Sequence, residues 1–84
     1  MLHLIAYDLH KPGQSYKSLY QAITAYPYVK LTESCWVIRS NLTAIQIRNV
    51  LTPCIDPNDS LFVCDFHHFS HSGLPVWSIR WMNN

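Results

Sequence analysis

The run Met1-Leu2-His3-Leu4-Ile5-Ala6-Tyr7-Asp8 is an apolar segment of strand length that ends on a single carboxylate. A turn-forming segment, Lys11-Pro12-Gly13, follows it. A carboxylate at the end of a buried strand is costly unless it is hydrogen-bonded, solvated at the mouth of a site, or bound to a cation. The run therefore predicts a buried β-strand and marks Asp8 as the first candidate functional residue.

The segments after this strand predict alternating helices and strands. A helix capped by Ser15 ends at Pro27, and the capping-box pattern Thr43-Ala44-Ile45-Gln46 starts a second helix. Three further runs are rich in strand-forming residues: Tyr28–Leu31, Cys35–Arg39 and Leu61–Phe66. The first two form either a hairpin or one bent strand. The order β-α-β-β-α-β predicts a ferredoxin-like α+β fold, the split βαβ sandwich.

The C-terminal part predicts an extra strand. Residues 1–66 form the core of a single ferredoxin-like domain spanning 1–84, and residues 67–75 form a polar, turn-prone linker. In residues 76–82, Trp77, Ile79 and Trp81 share one strand parity, while Ser78 and Arg80 have the other. This alternation predicts a fifth strand, paired with the edge of its own sheet or, by domain swapping, with that of a partner.

Both faces of the predicted sheet are apolar. In Leu2–Tyr7, Cys35–Ile38 and Leu61–Phe66, side chains of both parities are mainly apolar. Two right-handed crossover helices cover one face only. We expect the other face to stack against the sheet of a second copy, so the pattern predicts a homodimer.

Composition narrows the function classes. The chain has 84 residues, of which 49% are hydrophobic and 13% charged, with a formal net charge of +1. Since no basic block stands out, charge alone does not indicate a nucleic-acid partner. The cysteines lack CxxC spacing, which favours free thiols in a reducing cytoplasm. We expect no signal peptide and no membrane span, because no apolar run approaches about 20 residues.

Three segments together resemble the CRISPR-associated Cas-two family. They are Tyr7-Asp8 at the end of the first strand, Glu33-Ser34-Cys35-Trp36-Val37-Ile38, and Asn58-Asp59-Ser60-Leu61-Phe62-Val63 entering the last core strand. The run from Tyr7 to Tyr16 is similar to a small subgroup described as SinR-like. The resemblance covers Leu2 to Phe66, which is most of the chain.

The resemblance implies a ferredoxin-like dimer whose first-strand aspartates face each other and share a divalent metal, Mg²⁺ or Mn²⁺. Some members of the family are nucleases acting on RNA or DNA, and related small proteins are toxin-type endoribonucleases. Others form the non-catalytic centre of a spacer-integration complex with an integrase, where this aspartate is dispensable. This chain has Glu33 where the family often has Gln, and few basic residues, so the integration role is disfavoured.

Three residues near the end of the first predicted strand are candidate site residues. Asp8 is the metal ligand and catalytic carboxylate in the role that the resemblance implies. His10 lies in the following turn and could assist proton transfer, and the Ser34 hydroxyl could bind a metal-bound water or a phosphate. The alternative is that Asp8 caps the Lys11–Gly13 turn through its side chain.

Two further clusters each have a functional and a structural interpretation. His67, His68 and His71 could bind zinc, but the segment is loop-like and a solvated linker explains them. Tyrosines around the first helix could stack on unpaired bases, or pack along the helix: Tyr16, Tyr20, Tyr26 and Tyr28.

The first functional hypothesis is therefore a dimeric, metal-assisted endonuclease acting on RNA or DNA, in CRISPR adaptation or toxin-like antiviral defence. The second is a non-catalytic dimeric adaptor that binds nucleic acid or a protein partner, with Asp8 structural. A third is a toxin or phage-encoded inhibitor that uses the same fold.

Overall fold

The structure is a computed structural model that describes residues 1–10 and 16–84. Its helices and strands follow the predicted order up to the last element. They are β1 Leu2–Asp8, α1 Lys17–Thr24, β2 Tyr28–Thr32, β3 Cys35–Arg39, α2 Ala44–Leu51, a 3₁₀ turn Thr52–Cys54, β4 Ser60–Phe66 and α3 Val76–Asn83.

The strands form one four-stranded sheet in the order β2-β3-β1-β4. Each neighbouring pair is antiparallel, so α1 and α2 are the crossovers of a split βαβ sandwich. The ferredoxin-like α+β prediction is confirmed. Of the two alternatives for β2 and β3, the hairpin is observed, with a register shift between Lys30 and Thr32.

The face of the sheet covered by α1 and α2 contains the main core. Its fully buried residues come from both helices and from the two central strands: Ile5, Leu19, Ile23, Ile38, Ile47 and Leu51. The capping box at α2 is confirmed, because the Thr43 hydroxyl accepts from the Gln46 N–H at 3.1 Å and the Gln46 side chain accepts from the Thr43 N–H at 2.9 Å. The predicted cap of α1, Ser15, lies outside the described residues.

The predicted fifth strand is wrong, because residues Val76–Asn83 form a helix. Pro75 stands at its N-cap position, and its carbonyl accepts a hydrogen bond of 2.7 Å from the Ser78 hydroxyl. Ser78 and Met82, four residues apart, are the buried pair on one side of this helix. Trp77, one of the residues that suggested strand alternation, is instead 61% exposed.

Helix α3 covers part of the second apolar face of the sheet. Met82 packs in a buried cluster with Leu2, Val29 and Val37 on the face opposite α1 and α2. The Arg39 guanidinium stacks over the Trp81 ring at 4.6 Å and donates to the Trp81 carbonyl, which ties α3 to β3. The chain thus supplies its own cover for part of this face. The homodimer is predicted because a second copy is needed to cover this face. For the part that α3 covers, that reason does not hold.

The cover is incomplete at the end of the sheet where β1 finishes. Ala6 of β1 pairs with Phe62 of β4, and the Phe62 side chain is 60% exposed. An exposed phenylalanine on an otherwise apolar sheet face leaves room for a partner there. No helix within residues 1–10 and 16–84 has the length and apolar character needed to cross a membrane.

Candidate functional site

Asp8 lies at the end of β1, beside Ser60 of β4. Its side chain is 73% exposed, and one carboxylate oxygen lies 3.2 Å from Nε2 of His10. The structure therefore brings together two of the three predicted site residues. An exposed ion pair of this kind adds little stability. Both side chains are accessible to solvent and could contact a ligand or transfer a proton.

Asp59 positions the segment that carries His10, and the sequence analysis did not single it out. One carboxylate oxygen of Asp59 accepts from the His10 backbone N–H at 2.7 Å, and the other accepts from the Asp56 N–H at 2.8 Å. Partial desolvation opposes ionisation of Asp59, but these two hydrogen bonds, a third from Tyr16 and the nearby His10 together lower its pKa. A possible signal was the turn sequence Pro57-Asn58-Asp59 directly before a strand.

Ser34 lies beside the end of β1, as expected if β1 and β3 are neighbours. Its backbone carbonyl accepts from the Tyr7 N–H at 3.1 Å, and the residue is exposed in the turn between β2 and β3. The alternative role of Asp8, capping the Lys11–Gly13 turn, involves residues 11–13, which lie outside the described residues.

Tyr7 anchors this end of β1 from the opposite face. Its hydroxyl accepts from the Trp36 indole N–H at 2.9 Å and donates to the Glu33 carbonyl at 3.1 Å. Burial is the main cause of the raised pKa of Tyr7. Because Tyr7 is held on both sides, the adjacent Asp8 is presented from a rigid strand rather than from a loose terminus.

Two of the tyrosines near α1 pack on Trp36. The Tyr20 ring stacks on Trp36 with centroids 6.3 Å apart, and the Tyr28 ring meets Trp36 at 5.6 Å. This geometry favours packing, although the Tyr20 and Tyr28 rings each keep an exposed part.

The histidines after β4 are exposed: His67, His68 and His71. Within the part of the chain that the structure describes, no three His, Cys, Asp or Glu side chains are grouped so that they could hold a metal ion. The described residues thus give no support to the zinc interpretation of this cluster. The three cysteines, Cys35, Cys54 and Cys64, are free and half-buried.

The donor set around Asp8 limits how a metal could bind. An open depression of about 380 Å³ lies against Ala6, Asp8, Ser60 and Phe62. Among the described residues that line this depression, Asp8 is the one carboxylate. Mg²⁺ commonly uses one or two carboxylates and completes its shell with water and phosphate oxygens. A single copy therefore offers one carboxylate here, the low end of what Mg²⁺ uses.

No protein-family model matches this chain, and a search of curated proteins found no significant match. The resemblance to Cas-two proteins therefore rests on the three motif segments, and it is compatible with the ferredoxin-like fold.

Proposed function

We propose that this protein is a small metal-assisted nuclease of the Cas-two kind that cleaves RNA or DNA as a homodimer. The observation that carries the proposal is the position of Asp8: an exposed carboxylate on a rigid strand end, beside the part of the sheet face that α3 leaves open. His10 contacts this carboxylate at 3.2 Å.

The second copy would dock on the exposed end of the sheet. Phe62 and Ala6 form an apolar surface next to Asp8, and burying them against their symmetry mates would stabilise a dimer. A two-fold axis through this surface would bring the two Asp8 carboxylates together. Each would otherwise repel the other, so a cation between them stabilises the arrangement.

The roles of the side chains follow from this arrangement. The two Asp8 carboxylates would hold Mg²⁺ or Mn²⁺, which polarises a phosphate and lowers the pKa of a bound water. His10, beside Asp8, can accept or deliver a proton at its imidazole. The exposed Ser34 lies one strand away and can bind a phosphate oxygen through its hydroxyl.

The central test compares nuclease activity of the wild type with that of Asp8→Asn. Single-stranded and double-stranded RNA and DNA are incubated with the protein and Mg²⁺ or Mn²⁺. Asp65→Asn is the matched control, because Asp65 is an exposed carboxylate on β4 that pairs with His3, at the other end of β1 from Asp8. We expect Asp8→Asn to lose metal-dependent cleavage and Asp65→Asn to keep it. Cleavage that survives Asp8→Asn would refute the proposed site.

Oligomeric state is tested separately by sedimentation of the wild type and of Phe62→Lys. We expect a wild-type dimer at micromolar concentration, which Phe62→Lys converts to folded monomer. A stable wild-type monomer would remove the shared carboxylate site.

The second candidate is a non-catalytic adaptor, and the sparse basic charge favours it. The chain carries 6 Lys and Arg residues and a net charge of +1, which provides few phosphate contacts. Nucleic-acid binding or partner capture without cleavage, unchanged in Asp8→Asn, would support this candidate instead of the nuclease.

A further inference from the structure

A cavity lies between the sheet and α3, on the face opposite α1 and α2. Its volume is about 240 Å³. Leu4, Val37 and Phe66 line it from the sheet, and Met82 lines it from α3. We refer to the space bounded by these four residues as the α3 cavity.

The α3 cavity is open to solvent on one side, and its lining is almost entirely apolar. Protein interiors pack densely, and an engineered apolar cavity of about 150 Å³ already stays dry and admits benzene. A chain of 84 residues has few core residues and would gain stability if α3 closed over this space. Water gains little there, because the lining is almost entirely carbon and sulfur.

We propose that the α3 cavity is a binding site for a small, flat, uncharged aromatic molecule of about the size of indole. Its volume of about 240 Å³ is larger than an enclosed cavity that admits benzene, and its open side gives a second fused ring room. Among the described residues, no Asp, Glu, Lys or Arg lines it, so a charged ligand would lose its hydration without gaining a partner.

The lining chemistry favours an aromatic ligand over an aliphatic one. Phe66 and Phe69 meet edge to face, with ring centroids 6.0 Å apart, and both line the cavity. Aromatic rings stack or pack edge-on against such rings, and the Met82 thioether adds a favourable sulfur–aromatic contact. His68 and Ser70 also line it, and either can pair with one polar group such as an indole N–H.

This site is separate from the catalytic residues of the proposed nuclease, because its lining does not include Asp8, His10 or Ser34. Its residues Leu4 and Cys64 adjoin Ala6 and Phe62, the proposed dimer surface, on the same sheet face. The ligand tests below are therefore repeated on Phe62→Lys, so that an effect of dimerisation is distinguished from an effect of the ligand.

Cys64 gives a direct test, because its side chain lines the cavity while that of the equally half-buried Cys54 does not. The full-length protein is alkylated with iodoacetamide, with and without indole, and each cysteine is followed by peptide mass spectrometry. We expect indole at about ten times its Kd to slow alkylation of Cys64 about tenfold and to leave Cys54 unchanged. Equal rates for Cys64 with and without millimolar indole would overturn the proposal.

The charged analogue indole-3-carboxylate separates this pocket from a nonspecific apolar surface. We expect no protection of Cys64 by the carboxylate at the same concentration. Protection equal to that given by indole would contradict an uncharged, apolar site.

A filling substitution provides the second test. Leu4→Phe adds volume inside the cavity, and Leu61→Phe is the matched control on β4, packed against the opposite core. We expect indole to raise the melting temperature of the wild type and of Leu61→Phe but not that of Leu4→Phe. An undiminished indole response in folded Leu4→Phe would overturn the site. If Leu4→Phe does not fold, the wild-type alkylation result still decides.

Discussion

The contact between α3 and the sheet makes a specific prediction for Met82→Ala. Met82 is 6% exposed and packs with Leu2, Val29 and Val37, so it is the main anchor of α3 on the second face. We expect this substitution to lower the free energy of unfolding and to loosen α3. If α3 were only an appended tail, truncating Met82 would change little.

The magnitude follows from burial and from the neighbouring cavity. Replacing a buried methionine by alanine in a core typically costs about 2–5 kcal/mol. Met82 already borders the α3 cavity, so its removal enlarges an open space rather than creating a sealed one. We therefore expect the low end, about 2–3 kcal/mol. For a chain of this size that corresponds to a drop of about 10–20 °C in melting temperature.

The assay is urea unfolding followed by circular dichroism and tryptophan fluorescence, with Trp77→Ala as the control. Trp77 is on the same helix, is also large, and is 61% exposed. We expect its truncation to change stability by no more than about 0.5 kcal/mol. Equal losses for the two variants would refute the reasoning that α3 covers the sheet through Met82.

Three further predictions concern individual hydrogen bonds. Tyr7→Phe leaves the buried Trp36 N–H without its acceptor, and we expect urea unfolding to show a loss of about 1–3 kcal/mol. Thr43→Ala removes half of the α2 capping box and should cost about 0.5–2 kcal/mol in the same assay, whereas Thr43→Ser should be near neutral. The pKa of Asp59 is lowered in the folded state, so its contribution to stability is present above the ordinary carboxyl pKa and is lost as pH falls below it. Acid titration of Asp59→Asn should therefore show a shallower loss of stability than the wild type. Parallel acid limbs for the two proteins would contradict the role of Asp59.

Local sequence patterns determined the core elements of this fold. The apolar run ending at Asp8, the strand-forming runs and the box Thr43–Gln46 each carry their signal within a few residues. Such signals arise from side-chain periodicity and from hydrogen bonds within one turn, which do not require knowledge of the rest of the molecule. The order of the elements then leaves few alternatives to the ferredoxin-like topology.

The last helix was decided by tertiary contacts. Over the eight residues of Val76–Asn83, the alternation of Trp77, Ile79 and Trp81 fits a strand, while Ser78 and Met82 fit a helical face equally well. The choice depends on Met82 meeting Val37, 45 positions earlier in the chain. No periodicity within a segment this short contains that information.

In the candidate site, too, some features are evident from local sequence and others depend on tertiary contacts. Asp8 was evident from the sequence because a carboxylate interrupts an apolar run at its end. The placement of His10 depends on Asp59, which is 49 residues away and accepts the His10 backbone N–H. The sequence alone determined which side chains could do chemistry at this strand end. Only the tertiary structure decided how they are held and how much of the second sheet face stays open, because both depend on contacts between segments that are distant along the chain.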